Sequence, residues 1–276
     1  MRIVGLREAG NVLVGELTDE GVGILASVEE FWTAPRHWLA ERPQRTVVAG
    51  ELVPPVLPGA RVICIGLNYL KHVAEGSYAG EGVPPYPTLF ARWPSSLTVG
   101  GAGIPVPSDE DGVDWEGEVV AWVGEALVDA TPDEALAAVV GYSAFNDVTA
   151  RRAQKLTSQW TLGKNADRSG VLGPLVPAAE VGDLRDGLKV VTRVNGTVVQ
   201  EGSTDEMVYP VGETLALISR TLTLHPGDLL ATGTPSGVGY SRTPPWLLRP
   251  GDEVEVEVER LGAIRNPVVA NEARHA

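Results

Sequence analysis

Glu116 and Glu118 stand one residue apart in DWEGEVVAWVG, and Asp147 follows 29 positions after the second, in GYSAFNDVTAR. The segment WEGEVVAWV alternates and is rich in β-branched and aromatic residues, which predicts a strand, and residues i and i+2 of a strand point to one face. Two carboxylates on one face raise each other's pKa and weaken the sheet unless a cation lies between them. Oxygen-only ligation without a neighbouring His or Cys suits a hard ion such as Mg²⁺, Mn²⁺ or Ca²⁺ better than zinc. A bare ExE pair also reads as a solvated strand face. Asp147 and the motifs around it turn the reading toward a metal site of Glu116, Glu118 and Asp147.

Three further clusters could carry chemistry. In LNYLKHVAEG, His72 and Glu75 stand at i, i+3 and can share a helical face. A carboxylate beside an imidazole fixes its tautomer and raises its basicity, which equips the pair to take a proton from water. The same spacing occurs in surface pairs, but Asn68 before and Gly76 after suggest a short capped helix on a loop. The stretch TARRAQ…WTLGKNAD places Arg151, Gln154 and Lys164 soon after Asp147. Such cationic and amide donors serve a carboxylate-bearing, enolate-forming substrate, because charge builds on oxygen during reaction. The alternative is that Arg151, Arg152 and Lys155 form an exposed basic helix face. In LHPGDLLATGTPSGVG, amides at the Gly233 turn can form a nest for a carboxylate, assisted by the hydroxyl of Thr232 or Thr234. The phosphate-loop GK[ST] signature is missing there, and Ser236 lacks the G-x-S-x-G context of a serine nucleophile.

These residues need strands to hold them, and strand signals dominate. MRIVGLRE, NVLVGELT and GVGILAS alternate between turn signals, and a helix is expected over VEEFWTAPRHWLAER with a break at Pro35. ELVPPVLPG reads as a linker, which places a boundary near residue 58: a small N-terminal domain over 1–58 and a larger one over 59–276. TLFARW, EGEVVAWVG, LKVVTRVNGTVVQEG, DLLATGTP and DEVEVEVERLG have strand character, and Asn195-Gly196 is a hairpin cue. Glu253, Glu255, Glu257 and Glu259 fall on one strand face, expected to be solvated. Helices are expected over TPDEALAAVVGYSAF, with Thr131 as N-cap, and over VGETLALISRT. The 32 glycines and 21 prolines suit a loop-rich, mainly β (α+β) architecture.

The chain has 276 residues, 36 acidic against 22 basic, for a net charge of -14. That field repels phosphate backbones and argues against nucleic acid, although a local cation can still admit an anionic substrate. The lone Cys64 lies in an apolar run and reads as a buried structural thiol. No apolar stretch approaches the roughly 18 residues of a membrane span, and the start carries no secretory pattern, so a cytoplasmic protein is expected.

The order NYxxHxxE, ExE, NDVTAR with Gln three residues after the Arg, WTLGK, VNGTVVQ, PGDLLATGTPSGVG and LRPGDEVEVEVERLG resembles the fumarylacetoacetate hydrolase family over about residues 60 to 270. The closest resemblance is to its short acylpyruvate hydrolase and oxaloacetate decarboxylase members. It implies a mixed β-roll behind a small N-terminal α+β domain, a homodimer, and Mg²⁺ or Mn²⁺ in each subunit, with Ca²⁺ possible in crystals. It also implies metal ligands Glu116, Glu118 and Asp147, and a water-activating dyad of His72 and Glu75 on a lid segment. Gln154 and Lys164 would stabilise an oxyanion or enolate with Arg151 nearby, and the Gly233–Thr234 turn would hold the substrate carboxylate. The chain departs from the family pattern at Arg92, Arg152 and Val171, where Lys, Asp and Pro are frequent, and Arg152 places a positive charge five residues from Asp147. Tyr78 and Tyr86, after the lid segment, are candidates to shape a pocket for a bulky acyl group.

The expected reaction is hydrolysis of the C3–C4 bond of a 2,4-dioxo acid to pyruvate enolate and a carboxylate, with His72 deprotonating water. Decarboxylation of a 2-oxo diacid such as oxaloacetate, or isomerisation of a 2-hydroxydienoate, would use the same enolate without attacking water. A metal-stabilised binding protein that has lost the reaction is the reading from another class, and it would have no use for the His72/Glu75 base.

Overall fold

The computed structural model describes residues 1–40, 46–75 and 85–271, and Gly76 and Tyr78 fall outside them. Near the N-terminus, a five-stranded sheet runs in the order Val47–Val48, Gly21–Ser27, Asn11–Thr18, Ile3–Glu8, Glu51–Val53. The first residues of ELVPPVLPG therefore form an edge strand rather than a free linker: Leu52 pairs with Leu6, and the prolines begin only where pairing stops. The helix Val28–Thr33 starts at a capping box between Ser27 and Glu30. Pro35 opens a second helix, Pro35–Ala40, as its missing N–H allows at a first helical turn.

The central sheet is mixed. Its order is Thr88–Arg92, Val62–Gly66, Leu229–Ala231, Gly117–Val123, Val139–Asp147, Gly170–Leu172, Leu97–Val99, and Val176–Pro177 also pairs with Val139–Asp147. Val62–Gly66 runs parallel to Leu229–Ala231, and Gly170–Leu172 runs parallel to Leu97–Val99. The strand Gly117–Val123 is buried throughout. Strand alternation divides it between two cores. Val119, Ala121 and Val123 face Val190, Val194, Val254 and Val256, whereas Val120 and Trp122 face Phe145, Leu172 and Trp32.

The third sheet has the order Thr197–Ser203, Lys189–Val194, Glu253–Val258, Gly262–Ala270, Ile104–Val106. Its hairpin turns at Asn195 (φ 49°) and Gly196 (φ 79°), and two positive φ values are what a two-residue turn of this hand needs. Glu255 and Glu257 point outward and meet Arg193 Nη1 at 2.9 and 2.7 Å, so this acidic stripe is a charge-paired surface. Arg265 bridges to Glu255 on the same face.

One expected helix is corrected. Thr131 caps a helix as anticipated, but that helix covers only Pro132–Ala137, and Val139–Asp147 is a strand. The run VVGYSAFND is β-branched and aromatic and lies at the centre of a sheet covered on both faces, where strand pairing outweighs helix continuation. The helix Val211–Ser219 forms within the expected segment.

Trp32 joins the N-terminal layer to the central sheet. Its indole stacks on Trp122 at 5.4 Å and 10°, and its Nε1 donates to Pro55 O at 2.8 Å. Trp32→Ala would remove this buried wedge at a cost of about 3–5 kcal/mol. Urea denaturation followed by tryptophan fluorescence and by far-ultraviolet circular dichroism should show one shifted, coincident transition. Two separated transitions would show instead that residues 1–58 unfold independently.

Candidate active site

Glu116 directly precedes the strand Gly117–Val123, and Asp147 ends the neighbouring strand. Asp147 N donates to Glu116 O at 2.9 Å, and Gly117 pairs with Asn146. Directly opposed residues share a sheet face, as do i and i+2, so Glu116, Glu118 and Asp147 emerge together. One oxygen from each lies within 4.8 Å of the others, and all three residues are buried. Gly117, between the two glutamates, faces the other way, where an added Cβ would stand 2.4 Å from Thr192 Oγ1. The position therefore needs glycine for this strand to lie so close to the third sheet.

Buried cations surround the cluster. Lys164 Nζ donates to Glu116 Oε2 at 2.6 Å and to Asp147 Oδ2 at 2.5 Å. Arg92 binds Asp147 through Nε, Ser169 Oγ at 2.9 Å through Nη1 and Val148 O at 2.7 Å through Nη2. Its side chain ties an edge strand of the curled sheet to the far end of Val139–Asp147. Arg151 Nε donates to Asp114 Oδ2 at 2.8 Å. Its Nη2 lies 2.7 Å from Asp114 Oδ2 and from Glu116 Oε1, close ionic contacts without aligned hydrogen bonds.

Four buried carboxylates, Asp114, Glu116, Glu118 and Asp147, thus face three buried cations, Arg92, Arg151 and Lys164. Burial pushes Glu116 up, but Lys164 and Arg151 outweigh it and hold the carboxyl at about 2. Burial and the Asp147 and Glu116 charges push Glu118 well above the ordinary range. Among the described residues no side-chain cation pairs with Glu118, and Gly233 N donates to its Oε2 at 2.9 Å. A site one positive charge short, with oxygen donors only, fits a hard divalent cation held by Glu116, Glu118 and Asp147.

Glu116 and Glu118 of this cluster line a cavity of about 250 Å³. Glu116, Glu118, Arg151, Gln154, Lys164 and Thr234 reach it from the sheet side, and His72 and Glu75 from the helix Leu70–Glu75. His72 Nδ1 lies 2.9 Å from Glu75 Oε1. Gly237 N donates to both Glu75 oxygens, at 3.0 and 2.8 Å. Burial pushes Glu75 up, but the hydrogen bonds from His72 and Gly237 win and keep it below its ordinary value. With Nδ1 engaged, Nε2 is the imidazole nitrogen left for the cavity.

Several expectations change in detail. Asn68 does not cap the helix. It is buried, donates to Thr232 O at 2.7 Å and Tyr209 O at 3.1 Å, and accepts from Tyr209 N at 2.7 Å, pinning the helix start to the Thr232–Thr234 turn. In that turn the Gly233 amide donates to the protein's own Glu118. The Thr234 hydroxyl donates to Gly117 O at 2.9 Å and accepts from Gln200 Nε2 at 2.9 Å, so a substrate carboxylate would have to displace existing bonds. Gln154 Oε1 accepts from Arg151 at 3.1 Å, which leaves its amide N–H groups for a ligand.

Arg152 is exposed, donates to Asp109 O at 2.9 Å and does not line the cavity. Arg151 is buried while Arg152 and Lys155 are exposed, so the three do not share one surface face. Tyr86 is also exposed, and the apolar wall comes instead from Phe90, Trp160, Val238 and Tyr240. Cys64 is buried and its thiol is pushed up by burial, which suits a structural residue.

Sequence reasoning missed Asp114 and Gln200. Asp114 accepts from Arg151, Trp115 N (2.9 Å), Gly239 N (2.7 Å) and Tyr240 N (3.1 Å). Its place in DWEGE, two residues before Glu116, was the available signal. Gln200 accepts from Gly117 N at 3.0 Å, a long-range link that no local spacing reveals.

A curled mixed sheet with this carboxylate cluster and a facing His–Glu pair defines an enzyme scaffold suited to a divalent cation. The chain belongs to the fumarylacetoacetate hydrolase family: the model for the fumarylacetoacetate (FAA) hydrolase C-terminal domain matches residues 61–269. It is 38% identical over 221 residues, 79% of this chain and 68% of the relative, to a mitochondrial oxaloacetate tautomerase of Xenopus laevis. Among solved structures it is similar to a putative HpcE protein from Mycobacterium smegmatis, with 30% identity and a TM-score of 0.86 over 99% of this chain and 100% of that one. It is also similar to a fumarylpyruvate hydrolase from Pseudomonas aeruginosa in complex with Mn²⁺ and pyruvate, with 31% identity and a TM-score of 0.69 over 80% and 92%. Among the described residues no helix is long and apolar enough to cross a membrane.

Three outcomes follow from these contacts. Mg²⁺ or Mn²⁺ at about 100 times its dissociation constant should stabilise chelator-treated protein by about 2.7 kcal/mol, read as a rise in Tm. Glu118→Gln should abolish that increment without destabilising the metal-free protein, because it removes an unpaired buried acid. Asp114→Ala should cost about 3 kcal/mol by removing one of Arg151's two buried carboxylate partners and the acceptor of three main-chain N–H groups, and urea titration would measure it.

Proposed function

We propose that the chain is a divalent-metal-dependent enzyme, using Mg²⁺ or Mn²⁺, that converts a 2-oxo acid through its enolate. The observation that carries this reading is the placement of His72 and Glu75 in the same cavity as Glu116, Glu118 and Lys164. A base and an electrostatic sink for negative oxygen charge then meet in one small volume. When bound by Glu116, Glu118 and Asp147, the cation would supply Lewis-acid stabilisation of the charge that builds on the 2-oxo oxygen.

The rest falls to the chain's own groups. His72 Nε2, oriented by Glu75, takes a proton from C3 of the substrate and returns one to the enolate. Lys164 spends two N–H donors on Glu116 and Asp147, and its third is free for the enolate oxygen. Gln154 offers its amide N–H to the same region, and Arg151 holds Glu116 in place. The Gly233–Thr234 turn closes the carboxylate end of the cavity. Keto–enol tautomerisation of a 2-oxo diacid such as oxaloacetate is the reaction this sequence of steps describes most directly, and relatives named oxaloacetate tautomerases support it. Decarboxylation of such a diacid, or isomerisation of a 2-hydroxydienoate, would use the same enolate.

Hydrolysis of an acylpyruvate is the second reading, favoured by the same dyad and by likeness to the fumarylpyruvate hydrolase. Here His72 takes a proton from water, hydroxide adds to C4, the C3–C4 bond breaks, and the released pyruvate enolate is protonated at C3. Both readings place the work in a homodimer whose catalytic unit spans residues 59–276.

The test is a panel: enol-to-keto conversion of oxaloacetate followed by ultraviolet absorbance, and pyruvate release from oxaloacetate and from acylpyruvates, each with metal and after chelation. Metal-dependent tautomerisation without pyruvate release supports the first reading. Pyruvate from acylpyruvates establishes hydrolysis, and silence throughout rejects the enolate reading. His72→Ala should lower the active rate by about 10²–10⁴-fold. Glu75→Gln should impair hydrolysis more than tautomerisation, because activating water demands the stronger base.

A further inference from the structure

Two of the three cations that line the cavity are already committed. Arg151 is held by Asp114 and Glu116, and Lys164 by Glu116 and Asp147. The third is Lys155, which lines the same cavity, is exposed, and forms no ion pair among the described residues. Glu110 is the acid that reaches this helix, and its oxygens accept from Arg152 N at 3.0 Å and Ala153 N at 2.7 Å rather than from Lys155. Lys155 Nζ stands 3.7 Å above the ring centroid of Tyr240, another lining residue. The backbone of Tyr240 is anchored in turn by its N–H to Asp114.

A cation over an aromatic face keeps its charge and loses part of the side chain's freedom, so it is held in place without being neutralised. The molecule as a whole carries a net charge of -14, which repels small anions. An uncommitted, placed ammonium at the cavity wall reverses that sign locally.

We propose that Lys155 determines substrate specificity by binding a second, distal carboxylate, so that the enzyme acts on 2-oxo dicarboxylic acids in preference to monocarboxylic ones. The inference rests on the 2-oxo acid reading of the site and adds to it the residue that selects dicarboxylic substrates. The head of the molecule lies at Glu116, Glu118 and Lys164, and its far carboxylate pairs with Lys155 Nζ on the Tyr240 side. No bond is made or broken at Lys155, and its effect falls on binding.

The test compares two probes of equal chain length, 2-oxoglutarate and 2-oxopentanoate, which differ only in a carboxylate or a methyl at the far end. Calorimetric titration of the Mg²⁺-loaded protein should give an affinity about tenfold higher for 2-oxoglutarate, which corresponds to about 1.4 kcal/mol. Lys155→Met should bring the two within about twofold by weakening 2-oxoglutarate alone, and Lys155→Arg should keep the preference. Raising the salt concentration should shrink it in wild type and leave Lys155→Met unaffected. Equal wild-type affinities, or a preference that survives Lys155→Met, would overturn the assignment of Lys155 while leaving the enolate reading intact. Binding of neither probe would overturn both.

Discussion

The site depends on one electrostatic constraint: more negative than positive charge is buried at the end of two paired strands. Removing Asp114, Glu116, Glu118 and Asp147 from water is costly, and Arg92, Arg151 and Lys164 offset only three of the four charges. The surrounding framework serves this arrangement. Arg92 spans the curl of the central sheet to reach Asp147, Asp114 orients Arg151 from below, and the Gly233 amide reaches the remaining carboxylate. A hydrophobic cluster at this position would be easier to fold. The charges are better understood as a preorganised field whose missing positive charge is left for a ligand.

The sheet makes the field rigid. Gly117–Val123 is covered on both faces, so a shift of one residue would exchange Glu118 with Val119 between two differently filled cores. Trp122 on one face and the Thr192–Gln200 pair on the other hold that register, with Gln200 accepting from Gly117 N itself. Carboxylates set this firmly cannot spread apart to relieve their repulsion.

Much of this was legible in the sequence because the chemistry is short-range along the chain. The ExE spacing on a strand, the i, i+3 His72/Glu75 pair and the Arg151/Gln154/Lys164 group each follow from local periodicity, and their order carried the family resemblance. The helix expected to run through Phe145 failed because a continuous apolar run has no period, and only the covering layers decide in favour of a strand. Asp114 and Gln200 escaped notice because their partners lie far along the chain, 37 to 126 residues away for Asp114 apart from Trp115, and 34 to 83 residues away for Gln200 apart from Thr192. The Gly233 turn was expected from its composition to offer an amide to a carboxylate, and that amide meets Glu118, a partner 115 residues away that no local spacing reveals.

The turn from Thr232 to Gly237 has a geometric consequence. At one end its amide grips Glu118, and at the other, four residues on, a second amide grips Glu75. One short stretch of main chain therefore acts as a ruler between the carboxylate cluster and the imidazole. Evolution can recut the outer wall at Phe90, Trp160 or Tyr240 to admit different substrates without altering that measure. Adding or deleting a single residue between the two glycines would change it for every substrate at once.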